Sequence, residues 1–87
     1  MIGQAGREKS DDVLVQVDID TSEGIKIDIE SKVKQLFGKQ IEKSVKKVLC
    51  EMNVANAYVT LKDQGALDFV IRARVKTAIK RAIGGVK

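Results

Sequence analysis

The stretch VLVQVDIDTSEGIKIDIE, residues 13–30, decides the fold. Val13, Val15, Val17 and Ile19 alternate with Leu14, Gln16, Asp18 and Asp20, the period of two that sets β-branched side chains on one buried face of a strand. Asp20-Thr21-Ser22-Glu23-Gly24 follows, five turn-forming residues ending in a glycine that can adopt positive φ. Ile25, Ile27 and Ile29 then alternate with Lys26, Asp28 and Glu30. Two alternating runs around such a turn predict an antiparallel hairpin.

Downstream the period lengthens. Val33, Leu36, Phe37, Ile41, Val45, Val48, Leu49 and Met52 recur at three- and four-residue steps, which predicts one helix over about 32–52 with Ser31 as its N-cap. Gly38 costs this helix about 1 kcal/mol relative to Ala. Asn53 and Asn56 bracket its exit, Ala57, Val59 and Leu61 alternate as a third strand, and Asp63-Gln64-Gly65 reads as a turn. Leu67, Val70, Ile71, Arg74 or Val75, Ala78, Ile79 and Ala82 form the inner stripe of a second helix closed by Gly84-Gly85, with Arg72, Lys76 and Lys80 on an outer face. The order ββαβα implies an α+β fold of two layers, a three-stranded sheet with two helices on one face. Its other face, with Leu14, Gln16, Lys26, Asp28, Tyr58 and Thr60, is left to water or a partner subunit. Residues 1–12 are polar, contain Gly3 and Gly6 and have no apolar period, so they read as a mobile N-terminal arm ahead of a single domain over 13–87.

Composition narrows the functions. The 87 residues contain no histidine and one cysteine, Cys50, so hydrolytic triads and zinc sites lack their residues and no intrachain disulfide can form. Cys50 lies beside Leu49 near the helical stripe and reads as a packing residue. No apolar run approaches the ~18 residues of a membrane span, and the first seven residues lack the apolar core of a secretory signal, so a cytoplasmic location is expected. The chain is expected to be non-catalytic. Residues 1–30 hold three basic and eight acidic side chains, net −5, whereas the remainder carries +9. That asymmetry fits an acidic partner, an anionic ligand or a nucleic acid. With aromatics at 3 %, a base-stacking platform is missing, so a small nucleic-acid-binding module using Arg72, Lys76, Lys80 and Arg81 on phosphates is only the alternative.

Ser10 stands on the arm just before the first strand, without a neighbouring general base, and therefore reads as an acceptor of modification rather than a nucleophilic catalyst. Three segments add to this: Ala5-Gly6 through Ser10-Asp11-Asp12-Val13-Leu14; Ser31-Lys32-Val33 with Gln35-Leu36-Phe37-Gly38 and Ile41; and Asp63-Gln64-Gly65-Ala66-Leu67-Asp68-Phe69-Val70-Ile71-Arg72-Ala73-Arg74. Together they resemble the acyl carrier (gamma) subunits of citrate lyase, most specifically in GALD at 65–68 running into IRAR at 71–74.

The resemblance implies that Ser10 carries 2'-(5''-phosphoribosyl)-3'-dephospho-CoA through a phosphodiester, loaded by a holo-carrier synthase. It implies a carrier of acetyl and citryl thioesters between the alpha (transferase) and beta (lyase) subunits while citrate is cleaved to oxaloacetate and acetate. Carriers of citramalate lyase or malonate decarboxylase are the related alternatives. Two positions depart from the family: Phe69 stands where Cys is frequent, and Asp11 where Gly is frequent, adding a charge beside the attachment point. Asp11 and Asp12, with Arg72, Lys76 and Lys80, are the candidate partner-binding residues.

Overall fold

The computed structural model describes residues 2–19, 24–31 and 34–84, with the side chains of the first helix described from residue 38 onward. Its elements are β1 (Ile2–Gly6), β2 (Val13–Asp18), β3 (Ile25–Ser31), α1 (Lys34–Glu51), β4 (Ala57–Asp63) and α2 (Asp68–Gly84). The strands form one sheet in the order β1-β2-β4-β3. β2 pairs antiparallel with both β1 and β4, while β3 pairs parallel with β4. The expected α+β class holds, but the sheet has four strands rather than three. The turn expected over 20–24 falls largely outside the described residues, as do Lys32, Gly85 and the side chains of Val33, Leu36 and Phe37.

The added strand occupies residues 2–6, which the sequence assigned to an arm. Here the alternating buried residues are small: Gly3 and Ala5 point inward between exposed Ile2 and Gln4. A Cβ at Gly3 would lie 1.9 Å from the Ala78 carbonyl oxygen and 2.5 Å from the Ala82 nitrogen, so the α2 backbone crosses β1 at a distance only glycine permits.

The expected β2–β3 hairpin is also corrected. An 18-residue helix joins β3 to β4, the length of connection that parallel pairing requires, so β3-α1-β4 closes as a crossover unit. β4 then lies between β3 and β2. Its Val59 and Leu61 are fully buried, as befits a central strand, whereas Ile25 on the edge strand β3 is 38 % exposed. Val13, Val15 and Val17 meet Val45, Leu49, Val75 and Ile79 in one core, each such side chain worth about 1.5–3 kcal/mol of burial. Asn53, at φ 58°, closes α1 with Asn53 N–H donating to the Cys50 carbonyl (3.1 Å) and Val54 N–H to that of Leu49 (2.9 Å), a Schellman ending. Cys50 itself is exposed, and Leu67, read as part of the α2 stripe, is 64 % exposed; core contact on those helices falls to Val48, Leu49 and Ile71.

Candidate functional site

β1 ends at Gly6, whose φ of 90° and whose approach to Val13, 1.8 Å from an added Cβ to the carbonyl oxygen, exclude any side chain. Residues 7–12 then form the loop into β2, with Ser10 exposed. Asp12 N–H donates to the Lys9 carbonyl (3.0 Å), and Asp11 turns the chain in the left-handed region at φ 63°. Aspartate is among the few non-glycine side chains that tolerate that conformation. Two further main-chain bonds fasten this loop to the one after β4: Asp11 N–H donates to the Gln64 carbonyl and Gln64 N–H to that of Asp12, each at 3.0 Å.

Asp12, placed by the sequence among partner-binding residues, is 6 % exposed. Its Oδ1 accepts the Val13 N–H at 2.7 Å, and Arg74 donates Nε to Oδ1 and Nη2 to Oδ2, both at 3.2 Å. The Val13 amide first, then the hydrogen bonds and charge of Arg74, hold the Asp12 carboxyl below its ordinary 3.8 against the opposing effect of burial. Asp12 is thus a bracket that fixes the loop to α2.

The GALD segment forms the floor beneath that loop. Asp63 is buried, accepting the Ser31 hydroxyl on Oδ2 (2.8 Å) and the Ala66 N–H on Oδ1 (2.9 Å). Ser31 ends β3, its hydroxyl donating to Asp63 across on β4. Gly65 turns at φ 93°. The Leu67 carbonyl accepts from Val70 and Ile71 to begin α2, and Asp68 ties that start to both Ser44 and Arg72 (Nε to Oδ2, 2.8 Å). The Ser10 loop, the turn into GALD and the last arginine of IRAR, distant in sequence, are one structural unit.

The remaining candidates lie apart from it. Arg72 joins Lys39, Lys43, Lys46 and Lys47 along an open basic groove of about 890 Å³ between α1 and α2. Lys76 and Lys80 are exposed on α2. At ~100° per residue, Arg72, Lys76 and Lys80 point more than 100° around the helix from Arg74. The cations beside Ser10 are different ones: Arg7, Lys9, Arg74 and Arg81, which with Gly6 and Asp12 line a recess of about 380 Å³. Arg74 and Arg81, seven residues apart, share one face of α2. The sequence offers Arg74 or Val75 to the inner stripe and counts Arg7 and Lys9 within the acidic residues 1–30; the i, i+7 spacing of Arg74 and Arg81 is the signal that places the two arginines together.

Among the described residues no group of three or more His, Cys, Asp or Glu is placed to hold a metal, and no helix is long and apolar enough to cross a membrane. What the loop offers chemically is an accessible hydroxyl on a fixed main chain.

A family model described as malonate decarboxylase delta subunit matches residues 2–82. The citrate lyase acyl carrier protein of Halothermothrix orenii is 40 % identical over 83 residues, 95 % of this chain and 87 % of that protein. The citrate lyase acyl carrier protein of Fusobacterium nucleatum is 43 % identical over 93 % of this chain and 86 % of its own length. For that of Treponema denticola the identity is 47 % over 88 % of this chain and 86 % of the relative.

Proposed function

The chain belongs to the acyl carrier family of citrate lyase, and on that premise we propose that Ser10 is the attachment point of its prosthetic group and the remaining residues are a scaffold for it. One observation carries this reading: the exposed serine sits on a loop held through the main chain of Gln64, the residue before GALD, and by IRAR through Arg74. The two most family-specific segments converge on the one residue that needs to be presented. When bound, 2'-(5''-phosphoribosyl)-3'-dephospho-CoA supplies a thiol on which acyl groups travel as thioesters.

The chain's own contribution is positional. Asp12 and Arg74 fix the base of the loop, Asp11 supplies its turn, and the Ser10 hydroxyl is left accessible to the holo-carrier synthase that loads it. No general base accompanies Ser10, so loading and acyl chemistry fall to partner enzymes and the chain acts as a non-catalytic subunit. Its partners in this reading are the transferase (alpha) and lyase (beta) subunits of a cytoplasmic complex. Tethering raises the effective concentration of the thioester for two active sites in turn. The groove lined by Arg72 and the α1 lysines, together with Lys76 and Lys80, offers acidic partner surfaces a screened, rate-enhancing attraction.

Intact-mass measurement of the native protein, followed by peptide mapping, tests the assignment. The added mass is expected on the peptide containing Ser10 and lost in Ser10→Ala. Retention of the group in that variant would assign attachment elsewhere.

A further inference from the structure

We propose that the recess lined by Gly6, Arg7, Lys9, Asp12, Arg74 and Arg81 is a phosphate cradle that docks the anionic part of the arm borne on Ser10. The proposal rests on the Ser10 assignment for its biological ligand, while the site itself is a property of the folded chain. Four cations converge on about 380 Å³ from two elements, Arg7 and Lys9 from the loop and Arg74 and Arg81 from α2, against one carboxylate, Asp12. Arg7 and Lys9 are two of the three cations in residues 1–30, whose net charge is −5, and the fold brings Arg74 and Arg81 of the basic remainder to them, beside the residue that would carry the phosphates.

The arginines are held in place before any ligand arrives. Arg74 is anchored at two nitrogens by Asp12, and Arg81 donates Nη1 to the Gln4 carbonyl of β1 at 2.7 Å. Arg7 and Lys9 are exposed on the loop; the Lys9 charge acts on Asp12 across the recess, and neither side chain forms a close ion pair with a described carboxylate. Planar guanidinium groups set beside a flexible ammonium suit the several oxygens of a phosphodiester or pyrophosphate. A docked arm would rest along the β1–α2 side of the molecule and leave it when a partner's active site competes for the thioester. The cradle also separates the cations by role: those of Arg72, Lys76 and Lys80 lie on another face of α2 and do not line it.

The test uses the full-length unmodified chain. Amide resonances are followed while inorganic pyrophosphate, and separately free dephospho-CoA, is added at low ionic strength. Saturable shifts are expected at residues 6–12 and 74–81 with both probes. In Arg7→Gln/Lys9→Gln, at two exposed loop positions, the Kd should rise about tenfold, and Arg81→Gln should weaken binding in the same direction. Lys43→Gln/Lys47→Gln removes the same charge from the α1 groove and should alter the Kd less than twofold. Absence of saturable shifts, shifts centred on α1, or equal weakening by the control pair would overturn the cradle. Peptide mapping of the loaded protein is independent of this titration, so failure of the cradle and failure of the Ser10 assignment give different results.

Discussion

Replacing Arg74 by Met keeps most of the aliphatic stem but removes both hydrogen bonds to Asp12. The carboxylate is then left at 6 % exposure with the Val13 amide as its remaining partner among those described. Breaking a fully buried pair costs about 3–5 kcal/mol, but the Arg74 side chain is 42 % exposed, so water reaches the gap and the cost falls to about 1–2 kcal/mol. For a domain of this size that corresponds to a fall in Tm of about 4–16 °C.

The pH dependence identifies the cause. Because the folded-state pKa of Asp12 lies below the unfolded 3.8, its ionised form contributes stability above that value and loses it as pH falls through the folded pKa. Part of the lowering comes from Arg74, so the gap between wild type and Arg74→Met should be full at pH 7 and close as the pH drops below 3.8. Thermal melts followed by circular dichroism between pH 7 and pH 2 measure it. Amide exchange at Asp11 and Gln64 should accelerate in the variant, since their bonds, to the Gln64 and Asp12 carbonyls respectively, depend on the bracketed loop. A gap that is equal at both ends of the pH range would attribute the loss to packing of the arginine stem and refute the bracket.

Asp11→Val should destabilise by about 1–2 kcal/mol because a β-branched residue is forced to φ 63°, whereas Asp11→Gly should be tolerated; urea denaturation separates the two. Gly3→Val, which drives a side chain into the α2 main chain, should cost about 3 kcal/mol or more, and a melt within 2–3 °C of wild type would show that β1 does not pack there.

Much of this architecture is legible in residues 13–84, because Val13, Val15, Val17, Val59 and Leu61 alternate and Ile41, Val45, Val48 and Leu49 recur at helical spacing. What was hidden has specific causes. β1 escapes a search for apolar periodicity because its buried positions are Gly3 and Ala5, chosen for thinness against Ala78 and Ala82 rather than for hydrophobicity. A turn signal reports only a change of direction, and does not show that β4 takes the place beside β2, where its Ala57, Val59 and Leu61 are buried more completely than Ile25, Ile27 and Ile29 of the edge strand β3. Ser10 was legible as an acceptor, but the partners of its loop were not. Asp12 and Arg74 are 62 residues apart, and only the fold makes them neighbours.

The same geometry changes where flexibility must reside if Ser10 carries the arm. A mobile N-terminal segment would let the protein itself supply the reach between two active sites. Instead the serine follows a strand pinned between β2 and α2 and precedes a residue whose amide is bonded to Gln64. Loop displacement would break the Asp11–Gln64 and Gln64–Asp12 bonds and unpair Asp12 from Arg74, each net worth about 0.5–3 kcal/mol. Rotation about the many single bonds of a pantetheine-bearing group costs far less than that sum. The chain then serves as a fixed pivot whose position partner subunits can recognise, and the excursion between sites belongs to the prosthetic group.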